Sequence, residues 1–186
     1  MTENNIDKRI KKVLYNREFL ENVIKNLAKW VNETYKDSKD LIIVGLLKGS
    51  IPFLAQLIKD VTVDHIIDFM TLSSYEGAQK SKGSVKVIMD LAYDVMDKDV
   101  LIIEDIIDSG ITIEKVVELL KSKKPKSVKV LTLLNKPTGR KNNYNPDKFG
   151  IEVPHEFLVG FGLDVKEKLR NLPYIGIFDE KTFDDF

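Results

Sequence analysis

The sequence predicts an α/β fold: a mainly parallel, twisted sheet with helices on both faces. Two observations predict it. Apolar, largely β-branched runs at 41–47, 100–103 and 128–134 have the length and composition of strands buried on both sides. The first two pass through a polar turn into segments whose apolar residues recur with helical spacing, the alternation from which parallel sheets are built. No linker rich in Pro, Gly or Ser, no internal repeat and no low-complexity segment divides the 186 residues, so 1–186 is read as a single domain with a substantial core.

In chain order, residues 17–35 place Leu20, Val23, Ile24, Leu27 and Val31 on one helical stripe, with charged residues between them, to pack on the sheet. The strand at 41–47 ends at Lys48-Gly49-Ser50. A helix follows, with Ser50 as its cap, Pro52 in its first turn, and Phe53, Leu54, Leu57 and Ile58 facing inward. Residues 61–72 and 85–89 read as further strands. Between them, 73–84 are polar and aperiodic: a mobile hairpin loop or a lid. The next strand, 100–103, follows a turn at Asp97-Lys98-Asp99 and leads to a helix bearing Ile113, Val116, Val117 and Leu120. After the turn at Lys123-Lys124-Pro125-Lys126 comes the strand 128–134. A short glycine-bearing strand within 154–164, a final strand at 174–178 and a tail at 179–186 complete the chain.

The chemistry concentrates at 104–112. Glu104 and Asp105 emerge at the carboxyl end of a buried strand, where open α/β sheets bind ligands. Ser109, Gly110 and Thr112 then gather hydroxyls and free N–H groups at a helix N-terminus, an anion site suited to phosphate. The two carboxylates would repel a bare phosphate. They suit the vicinal hydroxyls of a ribose, or a magnesium ion carried with the ligand. Asp108 makes a third acid within five positions, crowding that a cation or a donor-rich ligand would explain. The stretch asks for a sugar phosphate. Lys48-Gly49, at another strand-to-helix turn, is a second potential anion site.

Bulk properties remove other classes. Lys plus Arg and Asp plus Glu each number 29, so no global field attracts nucleic acid or an anionic membrane. Without cysteine there is no disulfide, thiolate ligand or thiol nucleophile. The polar start is not a secretory signal and no apolar run reaches membrane-spanning length, so a cytoplasmic protein is expected. The two histidines, His65 and His155, lack metal-ligand spacing and read as structural. Neither Gly-x-Gly-x-x-Gly nor a Walker-type loop occurs.

The run Glu104-Asp105-Ile106-Ile107-Asp108-Ser109-Gly110-Ile111-Thr112 closely resembles the phosphoribosyl-pyrophosphate loop of type I phosphoribosyltransferases, in particular those of the 6-oxopurine branch. Three other segments resemble that branch in the same order, between about residues 41 and 178. The resemblance implies the family's sheet plus a small hood built from the chain ends to cap the base. It implies that Lys48 and Gly49 form a pyrophosphate loop, with Leu47–Lys48 a candidate cis peptide, and that Ser74 and Tyr75 begin a flexible catalytic loop. Lys136 would donate to the purine 6-oxo group, which a 6-amino group cannot accept from an ammonium. Phe157 would stack on the base, Leu158 would meet its edge through the main chain, and Asp164 and Arg170 would serve the magnesium-pyrophosphate. Glu104, Asp105 and Asp164 are the implied metal-facing acids, and Asp108 the general base at purine N7.

The implied activity is Mg2+-dependent transfer of 5-phosphoribosyl from phosphoribosyl pyrophosphate to N9 of hypoxanthine and guanine, in a homodimer or homotetramer. His155-Glu156 and Phe161 depart from the family's usual Asp-Lys and tyrosine, altering charge and removing a hydroxyl near the base. The rivals are a xanthine-preferring transferase and a non-catalytic regulator that keeps the loop. Asp108, Lys136 and the neutral charge stand against the regulator.

Overall fold

The computed structural model describes residues 6–74 and 85–184. Strands β2 (Leu41–Leu47), β3 (His65–Ser74), β4 (Val85–Met89), β5 (Asp99–Ile107), β6 (Ser127–Asn135) and β7 (Lys148–Glu152) form a six-stranded sheet in the order β4-β3-β2-β5-β6-β7. All neighbours are parallel except β3 and β4. Chain order reverses between β2 and β5: from β2 the sheet grows outward through β3, from β5 through β6. A crevice at such a reversal is where open α/β sheets take their ligands.

Alternation along the central strands builds two cores. Ile43, Leu101, Ile103 and Leu131 join the buried stripe of helix α1 (Arg17–Thr34) and the residues Phe53, Leu54 and Leu57 of α2 (Ile51–Leu57). Ile42, Val44, Val100, Ile102 and Val130 face the other way and pack with Ile113, Val116 and Leu120 of α3 (Ile111–Ser122). Each such side chain contributes about 1.5–3 kcal/mol on leaving water, so the centre of the sheet is a rigid platform. Asn16 caps α1 by accepting from the Phe19 N–H at 2.9 Å, and Pro52 sits in the first turn of α2.

A second, three-stranded antiparallel sheet, β1 (Ile10–Tyr15), β9 (Ile175–Phe178) and β8 (Leu158–Val159), is the hood. It joins the two ends of the chain. Leu158, Phe161, Leu163 and Ile175 share the apolar cluster under α1, so hood and platform are packed as one.

Several local expectations are corrected. β5 extends to Ile107, so Glu104 and Asp105 lie within the strand rather than after it. Pairing with β6 continues to Ile107↔Asn135 and prolongs it, whereas pairing with β2 stops at Gly45↔Ile103. β1 and β7 were not expected, because each has little buried surface and only its partner specifies it as a strand. The strand expected within 154–164 shrinks to two residues. Ser50 does not cap α2 with its side chain. Its backbone is already helical, and its hydroxyl donates back to the Leu46 carbonyl at 2.6 Å. The described part of the tail, to residue 184, holds a 3-10 turn at Glu180–Thr182.

Candidate active site

The overhang of β5 past β2 creates the site. Beyond Ile103 one edge of the strand is open toward the end of β2, and the two acids stand there on opposite sides of the strand, as adjacent strand residues must. Glu104 lines a cavity with Asp108, Ser109, Gly110 and Thr112. Its Oε2 is shut off from solvent with no hydrogen-bond partner. Asp105 turns toward the β2–α2 turn: a Cβ on Gly49 would lie 1.7 Å from its Oδ2, so only glycine admits the carboxylate there.

Burial dominates the electrostatics of both acids. It pushes Glu104 well above the usual carboxylate range, with the Asp105 charge adding to the effect. It raises Asp105 to about 6, against the pull of the Ile106 N–H, which donates to Oδ1 at 2.8 Å, and of Arg170. Two desolvated carboxylates, one with an unpartnered oxygen, form a donor set that fits a divalent cation or the hydroxyls of a sugar. Among the described residues no three His, Cys, Asp or Glu side chains form a metal cage by themselves.

The helix start has the free N–H groups that suit an anion. Gly110 is the N-cap of α3 with φ 80°, and no side chain caps the helix. The Ser109 hydroxyl accepts weakly from the Ile111 N–H at 3.4 Å. Thr112 and Ile113 follow in the first turn, where N–H groups have no intrahelical acceptor. The loop is braced from behind by a residue that sequence reasoning did not single out. Arg140 donates through Nη1 to the carbonyls of Ile107 and Asp108, both at 2.6 Å, through Nε to Tyr144 O at 3.0 Å, and through Nη2 to Asn135 Oδ1. Its only sequence signal is an arginine shortly after a strand end, which is common on surfaces.

Lys136, at the end of β6, is buried apart from 8% of its surface. Its Nζ donates to Asp108 Oδ2 at 3.1 Å and to the Glu156 carbonyl at 3.2 Å. Phe157 is exposed, edge-on to Phe178 at 5.5 Å between centroids, while Leu158 is buried in β8. The peptide Leu47–Lys48 is cis. Lys48 reaches across to Glu167 at 2.8 Å, and Arg170 pairs with Asp164 at 2.9 Å and with Glu167 at 3.1 Å. Glu167 was not anticipated either, since an exposed acid in a charged loop carries no pattern. Ser74 ends β3, its side chain undescribed; Tyr75 and the rest of the expected lid, through residue 84, lie outside the described residues.

The raised acids have a consequence for stability. A carboxyl whose folded pKa of about 6 exceeds its unfolded value binds more protons when folded, so stability falls as pH rises from about 4 through 6. Asp105→Asn removes that loss and should stabilise the ligand-free protein by roughly 3 kcal/mol at neutral pH, the difference from wild type closing near pH 4. Urea unfolding of both proteins at the two pH values measures it; equal stability at neutral pH would contradict a desolvated Asp105.

Comparison with known proteins agrees with this fold. A family model described as a phosphoribosyl transferase domain matches residues 12–166. The hypoxanthine-guanine phosphoribosyltransferase of Lactococcus lactis subsp. lactis is 45% identical over 183 residues, covering 98% of this chain and 99% of its own. The hypoxanthine phosphoribosyltransferase of Escherichia coli is 47% identical over 154 residues, 82% of this chain and 86% of its own. The crystal structure of a hypoxanthine phosphoribosyltransferase from Staphylococcus aureus has a TM-score of 0.92 at 40% identity, covering 98% of this chain and 99% of that one. Likeness of this extent, in sequence and in backbone, settles the lineage: the chain belongs to the phosphoribosyltransferase family.

Proposed function

We propose that this protein is a purine salvage enzyme that transfers 5-phosphoribosyl from phosphoribosyl pyrophosphate to N9 of hypoxanthine and guanine, releasing pyrophosphate. One observation carries the choice of base. The Lys136 ammonium and the Asp108 carboxylate stand 3.1 Å apart, a donor beside an acceptor. A 6-oxopurine presents the complementary pair on one edge, the 6-oxo oxygen beside N7–H. Adenine offers a 6-amino group to an ammonium that can only donate.

In this reading the 5′-phosphate lies on the α3 N-terminus between Asp108 and Thr112, and Glu104 and Asp105 take the ribose hydroxyls. Phe157 stacks on the base, with Phe178 behind it. Lys48, with Gly49 beside it, and Arg170 neutralise the leaving pyrophosphate. Glu104, Asp105 and Asp164 are the residues that would hold Mg2+ together with substrate oxygens, an arrangement usual for that ion; when bound it supplies further charge neutralisation of the leaving group. As the N9–C1′ bond forms and the C1′–pyrophosphate oxygen bond breaks, Asp108 accepts the N7 proton. The hood shields an oxocarbenium-like C1′ from water.

The whole chain acts as one catalytic domain, an assignment supported by the apolar cluster that hood and platform share. Exposed Ile88, Met89, Tyr93 and Met96 support a homodimer or homotetramer. Equal numbers of acidic and basic residues favour small-molecule partners over nucleic acid or membrane, and no helix among the described residues is long and apolar enough to cross a membrane. We place the protein in the cytoplasm.

Incubation with phosphoribosyl pyrophosphate, magnesium and each of hypoxanthine, guanine, xanthine and adenine, followed by absorbance, should show nucleotide formation with the first two; none with either defeats the reading. Asp108→Asn should lower turnover by about 10²–10⁴-fold, the usual worth of a general base, while nucleotide still binds. Wild-type turnover in that variant would remove the assignment. Lys136→Gln should erode discrimination against adenine, and undiminished discrimination would mean that another group reads the 6-position.

A further inference from the structure

Lys48 and Arg170 come from distant parts of the chain, the β2–α2 turn and the loop after Asp164, yet one carboxylate joins them. Glu167 Oε2 accepts from Lys48 Nζ at 2.8 Å, and Oε1 accepts from Arg170 Nη2 at 3.1 Å. The backbone fixes this reach. The Glu167 N–H donates to Asp164 Oδ2 at 2.9 Å, and Lys166, Glu167 and Leu169 all have positive φ, which turns the loop back on itself. Arg170 is tied to the same loop by Nη1, which donates to the Gly162 carbonyl at 2.8 Å. Gly162, with φ 101°, in turn lies against the β2–α2 turn, where an added Cβ would come within 2.0 Å of Gly49 O.

We infer that Glu167 is a built-in stand-in for the departing pyrophosphate: its carboxylate spans Lys48 and Arg170 in the ligand-free enzyme and competes with pyrophosphate for both cations. This rests on the assignment of Lys48 and Arg170 to the leaving group. Each carboxylate oxygen satisfies one cation, as two oxygens of a diphosphate would, so the same donors cannot serve both anions at full strength. Glu167 and Lys48 side chains are each more than half exposed, at 63% and 60%, so the carboxylate can swing into water when a stronger anion arrives. Exposed ion pairs of this kind are weak, because water and salt screen both partners. Such pairs trim pyrophosphate affinity without blocking the site, which suits a device that speeds product release.

The test is pyrophosphate binding by calorimetry, with magnesium chloride present, to the wild type and to Glu167→Gln, whose amide cannot carry the bridging charge. Binding should tighten roughly threefold to tenfold, with the difference shrinking as salt rises and the KM for hypoxanthine unchanged. Glu167→Ala should behave alike, and melting curves check that both variants are folded. Unchanged or weaker pyrophosphate binding overturns the inference, since Glu167 would then be a bystander or an aid to binding. Lys48→Ala separates the two levels of the argument. If it weakens pyrophosphate binding while Glu167→Gln does not tighten it, only the stand-in role fails; if it changes nothing, the leaving-group assignment falls and the stand-in role falls with it.

Discussion

Two carboxylates are kept out of water at the overhanging end of β5, and most of the site's architecture can be understood as holding them there. Burying an ionised carboxyl without a partner costs several kcal/mol, a cost that a loop could escape by moving. Glu104 and Asp105 cannot move, because their strand is paired to β6 through Ile107 and its first half is packed on both faces. The stability of the apolar sheet is what keeps the acids desolvated. A desolvated acid binds cations and hydroxyls more strongly than a solvated one, since the competing water has already been removed.

Positive groups around the acids differ in how firmly they are held, and the difference follows their tasks. Arg140 is locked by four acceptors behind the phosphate loop, so it shapes the backbone of Ile107 and Asp108 rather than meeting a ligand. Lys136 is buried, with its ammonium shared between Asp108 and a main-chain carbonyl, a setting that fixes its direction. Lys48 pairs with exposed Glu167, a contact that modest competition can release, while Arg170 is held by Asp164 and the Gly162 carbonyl as well as by Glu167. Firm contacts thus gather around Arg140 and Lys136, and an exchangeable one lies at Lys48.

The order of the strands' chemistry was legible before any coordinate. Val100 to Ile103 read as a buried strand, since four β-favouring apolar residues in a row between turn signals leave no solvent face, and β2 matched its expected bounds residue for residue. The stripe on α1 and the acid-rich stretch before α3 were equally plain, because periodicity and charge are local properties of the chain. Departures arose where a distant partner decides. β5 continues four residues past its apolar run because β6 supplies acceptors and donors for Glu104 to Ile107. The Ser50 hydroxyl turned to the Leu46 carbonyl once the backbone at Ser50 was already helical.

By itself, then, the sequence determined the alternation of strands and helices, the acids and helix start that would grip a sugar phosphate, and the kinship of its motifs. Those depend on residue type and spacing along a few turns of chain. Only the tertiary structure decided that β1 and β9, from opposite ends of the chain, close the hood, that Arg140 braces the phosphate loop, and that Glu167 joins Lys48 to Arg170. Each needs at least one contact across a large sequence separation. Its partner is chosen by how the packed sheet brings segments together, and no local pattern encodes that.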